Sequence, residues 1–299
     1  MRVSSDFFHQ TTIRNIQRSS VEYSDLSVQM ASGKRIQRPS DDPLGKVSLM
    51  TLESQLRDLE QYERNIESVN FELSQQESQL TGIMDQLFSV QGLVIQAADG
   101  SSGPSEIQAY AQELSALESN IVSFLNSRDG SGHAYFGGSE LDTEPFLLDT
   151  ATNTYLYQGD NHVRQVSVAN NAFAPSNITG QSLDPGATFL NAMRQYVTDI
   201  SDPATTNVDV LSQNMIAVIS DFSAKVNQGL TEIGSTMSSL ETLDKSNRDI
   251  REFTQGLSDD INAVDYPEAY IKVNETLASY ESTMRVYSSV TELSLFSLI

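Results

Sequence analysis

Residues 59–94 read LEQYERNIESVNFELSQQESQLTGIMDQLFSVQGLV. Steps of alternately three and four residues pick out Leu59, Tyr62, Ile66, Val69, Leu73, Gln76, Leu80, Ile83, Leu87, Val90 and Val94, of which only Gln76 is polar. An apolar residue every three and a half positions keeps one face of an α-helix turned toward a neighbour, so the spacing predicts a long coiled-coil-like helix. Upstream, Asp42 before Pro43 supplies an N-cap acid and a proline at the first helical position, where the missing amide donor costs nothing. Downstream, Asp99-Gly100-Ser101-Ser102-Gly103-Pro104 cannot continue a helix. At 1.5 Å per residue a helix from Pro43 to Ala98 would be roughly 80 Å long.

Ser105 and Gln108 have capping-box spacing, and Ile107, Ala111, Leu114, Leu117, Ile121 and Leu125 follow on one face as far as Asp129-Gly130. A second long register runs through Ile219, Phe222, Val226, Ile233, Leu240, Leu243, Ile250, Leu257, Ile261 and Val264, weakened by Gly229, Thr236, Asn247 and Thr254. Its extent, about Asn207 to Val264, nearly matches the first, as a bundle partner should. Between the two, from about His133 to Asp184, the chain is rich in Gly, Asn and Thr. Tyr135-Phe136, Thr154 to Tyr157 and Val163 to Val168 read there as short strands, with turns at Gly159-Asp160-Asn161 and Asn170-Asn171. A short helix from Ala187 to Ile200 leads back. The predicted fold is mainly α, with a small β domain inserted into a long antiparallel coiled-coil or bundle stem formed by both chain ends. The predicted parts are 1–42 with 268–299 as a terminal helical pair, 43–132 with 187–267 as the stem, and 133–186 as a β-rich outer domain.

Composition narrows the function. The 299 residues hold 18 Lys and Arg against 40 Asp and Glu, a net charge of −22. That argues against nucleic acid, whose phosphates need a basic surface. Cysteine is absent, which excludes disulfides, thiolate metal sites and a cysteine nucleophile. No stretch approaches the ~18 apolar residues of a membrane span, and the N-terminus lacks the apolar core of a cleaved signal peptide. His9, His133 and His162 stand in no catalytic or metal spacing. Ala31 to Ile36 lacks the upstream glycine and following hydroxyl of a phosphate loop. Glu140, Asp142 and Glu144 lack the glycine and terminal glutamate of a calcium loop. No enzyme, metal or cofactor is expected. The extreme ends differ in charge: residues 1–40 hold six basic and three acidic groups, residues 259–299 two basic and seven acidic ones. That difference suits the two ends to each other.

The segment Ser32-Gly33-Lys34-Arg35-Ile36-Gln37-Arg38-Pro39-Ser40-Asp41-Asp42-Pro43-Leu44-Gly45 strongly resembles the N-terminal signature of the flagellin superfamily. Glu292 to Ile299 resembles its closing segment, and Val264-Asp265-Tyr266-Pro267-Glu268-Ala269 the acidic step before its last helix. Pro39 and Pro43 on either side of the acids, Tyr135-Phe136-Gly137-Gly138-Ser139 with Pro145-Phe146, and Tyr157-Gln158-Gly159-Asp160 look more like the hook-associated branch than like filament flagellin. The resemblance covers roughly 1–148 and 207–299. It implies a structural protein of the bacterial flagellum, forming by helical self-assembly the junction layer between hook and filament. It also implies export through the flagellar type III channel without a cleaved signal, and a final place outside the cell. Implied partners are further copies of itself, hook-associated protein 1 on the hook side, flagellin on the filament side and a cytoplasmic export chaperone. Two other readings stay open: filament flagellin, and a surface adhesin or glycan-binding protein acting through the β insert.

The expected assembly interface lies on the terminal helices: Phe7, Phe8, Ile13, Ile16, Leu26 and Met30 at one end, Leu277, Tyr280, Met284, Tyr287, Leu293, Leu295, Phe296 and Ile299 at the other. These stripes are too thin to bury themselves as one isolated pair. Packing of copies side by side, at ~1.5 to 3 kcal/mol per large side chain buried, would offset the ordering entropy. The signature turn contributes Ser32, Gly33, Arg35, Ile36, Pro39, Asp41, Asp42, Pro43 and Gly45.

Overall fold

A computed structural model describes residues 2–99 and 102–296, with side chains described over 7–99 and 102–291. Among the described residues, seven α-helices and four short strands follow in the order α1 (Arg2–Ser32), α2 (Pro43–Ala98), α3 (Pro104–Leu125), β1 (Phe146–Asp149), β2 (Thr154–Tyr157), β3 (Gln165–Ala169), β4 (Ala172–Pro175), α4 (Gly180–Leu183), α5 (Thr188–Ser201), α6 (Val208–Asn262) and α7 (Tyr266–Phe296). The chain divides into two compact units, residues 1–58 with 249–299 and residues 59–248. The fold is thus mainly α with a small antiparallel β region.

In the unit of residues 59–248, the register that opened the sequence forms the core. Ile66, Val69, Leu73, Leu80, Ile83, Leu87, Val90 and Val94 are all buried. They meet Ala111, Leu114, Ile121 and Leu125 of α3, Phe189, Leu190 and Met193 of α5, and Ile219, Phe222, Val226, Ile233 and Leu240 of α6 in one cluster. Phe189 and Phe222 stack with ring centroids 4.1 Å apart. A Cβ at Gly82 would lie 2.8 Å from the Phe124 ring, so glycine lets α2 and α3 approach closely there. Gly229, read as a weak point of the second register, is a close approach too: a Cβ there would stand 3.3 Å from both Leu80 and Leu183. The cap of α3 differs from the sequence reading. Pro104 takes the first helical position, so the cap falls on Gly103, whose amide donates to Glu106 Oε2 at 2.8 Å.

Two separate hairpins form the insert. β1 pairs with β2 and β3 with β4, the second pair carrying a bulge between Ser167 and Ala169. Asn153 and Asn171 adopt the left-handed conformation their hairpin turns need, with φ of 53° and 58°. Tyr135-Phe136 is not a strand. Phe136 is fully buried in an irregular segment, so its apolar character reports burial rather than pairing.

Helical side chains hold the hairpins by their backbone. Gln76, the polar member of the α2 register, is fully buried; its Oε1 accepts from the Ile178 amide at 2.8 Å and its Nε2 donates to the Ser176 carbonyl at 3.3 Å. Asn247 Nδ2 donates to the Val168 carbonyl at 3.0 Å, and Asn65 Nδ2 to that of Ser167 at 2.7 Å. Asn126 exchanges two bonds with the backbone of Phe146, and Asn191 two with that of Tyr155. Buried and half-buried amides satisfied in this way fix position without adding charge. Glu118 of α3, almost wholly buried, adds a side-chain link: its Oε1 accepts from the Tyr155 hydroxyl at 2.8 Å and from Arg194 at 3.2 Å. Burial pushes this carboxyl upward from its usual range, and the bonds from Tyr155 and Arg194 oppose that shift.

The far end of α6 departs from the predicted register. Thr254 is buried, whereas Ile250 and Leu257 are 50 % and 40 % exposed. The buried column runs through Ile233, Leu240, Asn247 and Thr254 in steps of seven. The neighbouring column, Leu243, Ile250 and Leu257, passes from half-buried to exposed along the helix. Among the described residues no helix is long and apolar enough to cross a membrane.

Candidate functional site

In the unit of residues 1–58 and 249–299, the signature segment is a turn held to the junction between α6 and α7. Helix α1 ends at Ser32, and Gly33 takes φ +72°; a Cβ there would also stand 3.2 Å from the Tyr266 hydroxyl. Lys34 forms an isolated antiparallel bridge with Ala263: the Arg35 amide donates to the Asn262 carbonyl at 2.7 Å and the Val264 amide to that of Gly33 at 3.3 Å. Asn262 Oδ1 accepts from the Ile36 amide at 3.0 Å, and the Ile36 side chain is buried. The Arg35 guanidinium donates to the Ile261 carbonyl and to Asp42 Oδ2, both at 3.1 Å.

The two aspartates divide the work. Asp41 Oδ2 accepts from the amides of Gln37 and Arg38 at 3.0 and 2.8 Å, closing the turn, with Pro39 exposed at its tip. Asp42 Oδ1 accepts from the Gly45 amide at 2.9 Å, capping α2 with Pro43 at its first position. These amides hold both carboxyls below the ordinary carboxylate range: that of Arg38 acts most strongly on Asp41 and that of Gly45 on Asp42, where Arg35 adds to it. Gly45 has no room for a side chain, since a Cβ would come 2.5 Å from Asp42 Oδ2 and 2.7 Å from Ile36 Cδ1. Ser32 Oγ accepts from Gln37 Nε2. Gly33, Arg35, Ile36, Asp41, Asp42 and Gly45 therefore each answer to a bond, to burial or to a steric limit.

Helices α1 and α7 pack on each other. Among their described side chains only Thr12 and Ala269 are buried, so the pair encloses no large apolar group. Ile16, Leu26, Met30, Tyr280 and Tyr287 are half-buried, and the His9 and Tyr287 rings meet edge to face at 5.5 Å. Phe7, Phe8, Ile13, Leu277 and Met284 are exposed, Phe7 at 68 %. Sequence reasoning missed Val21, Val28, Tyr270, Ile271 and Val286, which are exposed on the same helices. The signal was present in their apolar character but hidden by their irregular spacing. Ile299 lies outside the described residues, as do the side chains of Leu293, Leu295 and Phe296. The expected attraction between oppositely charged ends takes no direct form: among the described residues no ion pair joins α1 to α7. Lys272 pairs with Glu268 at 2.6 Å and Arg285 with Glu281 at 3.5 Å, each within α7. Short i, i+4 reach wins over a bridge between helices.

The other family-like segment of the sequence reading, Tyr135 to Ser139 with Tyr157 to Asp160, forms a knot in the insert. Asp160 accepts from the Ser139 amide at 2.8 Å and from its hydroxyl, which hold its carboxyl down to about 2. Tyr157 donates its hydroxyl to the carbonyls of Phe136 and Asp160, both at 2.9 Å; desolvation pushes it up to about 12. The Ser139 hydroxyl, the Tyr157 hydroxyl and the Asp160 carboxyl are thus engaged in holding the chain. A cleft of about 850 Å³ is lined by apolar residues, among them Ala97, Ile107, Ile200 and Val208, and by carboxyl, hydroxyl and amide side chains. Among the described residues no cluster of three metal-ligating side chains occurs.

The structure is thus a long-helix fold with a bonded N-terminal turn and with exposed or half-buried apolar stripes on its terminal helices. Residues 3–140 match the family of the bacterial flagellin N-terminal helical region. Over its whole length it is similar to flagellar hook-associated protein 3. The Escherichia coli (strain K12) protein of that name is 23% identical over 100% of this chain and 99% of its own. That of Salmonella typhimurium is 27% identical over 55% of this chain and 51% of its own. A solved structure from Vibrio parahaemolyticus, assigned provisionally to the flagellar hook-associated proteins, is 28% identical with a TM-score of 0.70, covering 75% of this chain and 100% of that one.

Proposed function

We propose that this chain is a structural, non-enzymatic component of the bacterial flagellum, forming the junction layer between hook and filament by helical self-assembly. The observation that carries this reading is the α1 and α7 pair, whose large apolar side chains stay exposed or half-buried while the turn beside it is held by several hydrogen bonds. Such a pair gains most by packing against copies of itself. Similarity to hook-associated protein 3 over essentially the whole of both chains favours the junction over the filament body or an adhesin.

Finer points follow from the same reading. Phe7, Phe8, Ile13, Ile16, Leu26, Met30, Leu277, Tyr280, Met284 and Tyr287 form the assembly interface, together with the closing residues through Ile299. The terminal pair, residues 1–42 and 268–299, lines an inner tube; the stem, 43–132 and 187–267, surrounds it; the insert, 133–186, faces outward. The layer meets hook-associated protein 1 on one side and flagellin on the other. Before assembly the chain passes through the flagellar type III channel, accompanied by an export chaperone and without a cleaved signal. Cells lacking the gene should build complete hooks, carry no filament and release flagellin monomers into the medium. Normal filaments on such cells would sink the junction role.

A further inference from the structure

Outside the terminal helices, two more apolar strips of the same unit lie uncovered. At the start of α2, Leu44, Val47 and Met50 are 79 %, 61 % and 58 % exposed; near the end of α6, Ile250, Phe253 and Leu257 are 50 %, 73 % and 40 % exposed. At about 100° per residue the α6 strip spans roughly 60° of the helix circumference, a face narrow enough for one neighbouring helix. Beside it, Gly256 has nothing within 4 Å of where a Cβ would stand. A helical glycine weakens the helix, and no contact inside this chain calls for this one.

Charge sets the two strips apart. Residues 34–57 carry Lys34, Arg35, Arg38, Lys46 and Arg57 against Asp41, Asp42 and Glu53; Arg35 pairs with Asp42 and Arg38 with Asp25, and Asp41 is engaged by the turn, so Lys34, Lys46 and Arg57 stand against Glu53. Residues 249–260 carry Asp249, Glu252, Asp259 and Asp260 against Arg251 alone. A two-fold contact that set like strip on like would oppose like charges. A head-to-tail contact sets basic against acidic and apolar against apolar, and because each copy carries both faces it can propagate.

We infer that the α2 strip of one copy packs on the α6 strip of the next, a copy-to-copy contact separate from the terminal helices. The inference rests on the reading that the chain assembles with copies of itself. Its test uses the absence of cysteine from the natural chain. Full-length Met50→Cys and Phe253→Cys proteins are mixed in equal amounts, assembled on hooks isolated from cells lacking the gene, and treated with a short flexible bismaleimide whose reach tolerates an offset of one turn. Cross-links between unlike variants should exceed those between like variants severalfold, and should vanish in the unassembled mixture. In parallel, Lys46→Glu with Arg57→Glu should slow assembly severalfold, and Asp249→Lys with Asp260→Lys in the same chain should restore it. Equal or absent cross-linking in material that assembles normally would overturn the contact and leave the junction role standing. Failure of the unaltered chain to assemble on hooks would remove the functional reading, and this contact with it.

Discussion

At the residue scale, the signature turn is governed by space and by two carboxyls. Gly45→Ala forces a methyl into the gap between Asp42 and Ile36 and should cost about 1–3 kcal/mol, read as lost amide protection around Ile36 and an earlier urea transition. Gly33→Ala puts a side chain at φ +72° and should cost about 1–2 kcal/mol by the same readout. Acid should act on the turn in one direction. Asp41 and Asp42 have lowered values in the folded chain, so their contribution is present above the ordinary 3.8 and is lost as pH falls through the folded values. Asp160 follows the same sign with a folded value of about 2, so the insert knot should loosen only between pH 3.8 and about 2. Exchange of the Arg38 and Ser139 amides, followed by NMR from pH 5 downward, measures both. Protection that improves on acidification would contradict the assignment of these bonds.

At the element scale, the long helices were legible and their faults were the informative part. Asp42-Pro43 and the Asp99 to Pro104 break bound α2 as observed, because capping chemistry and proline are local. The β1 and β4 strands were not legible, since four residues such as Ala172 to Pro175 carry no period and owe their shape to the partner strand. Ile250 and Leu257 looked like core because a seven-residue spacing does not say which of two adjacent columns meets the neighbour. Asn262 carried no signal either, being one amide at a helix end whose role depends on a turn more than two hundred residues away. Gln76 looked like a flaw in the register and is a clamp. Gln76→Leu should complete the apolar seam yet cost about 1–3 kcal/mol, because the Ile178 amide and Ser176 carbonyl lose their partner while buried. Faster exchange at Ile178 with little change at Leu87 would confirm where the loss falls. Glu118→Ala should cost about 2–3 kcal/mol by stripping the partner from Tyr155 and Arg194. The raised value of Glu118 gives it the opposite pH sign to Asp160: its contribution is fullest below the ordinary 4.5 and is lost as pH rises through the folded value.

At the scale of the whole molecule, stability is uneven by construction. A buried cluster of many large side chains holds residues 59–248, whereas α1 and α7 rely on half-buried contacts. Amides at Ile16 and Tyr280 should exchange faster than those at Leu73 in the monomer and become protected on assembly. Equal protection at Ile16 and Leu73 in the monomer would refute this coupling. Where the helices grip the insert through Asn65, Gln76, Asn126, Asn191 and Asn247, they read peptide groups and not side chains. The docking address is therefore written largely in the host, while the guest adds a few side chains of its own: Tyr155 to Glu118, Arg164 to Glu72, and Phe146 and Val168 in the shared core. A foreign loop that keeps the backbone course and these few side chains could be displayed there, and exposed positions such as Leu147, Leu156 and Phe173 could be changed while the seat stays where it is.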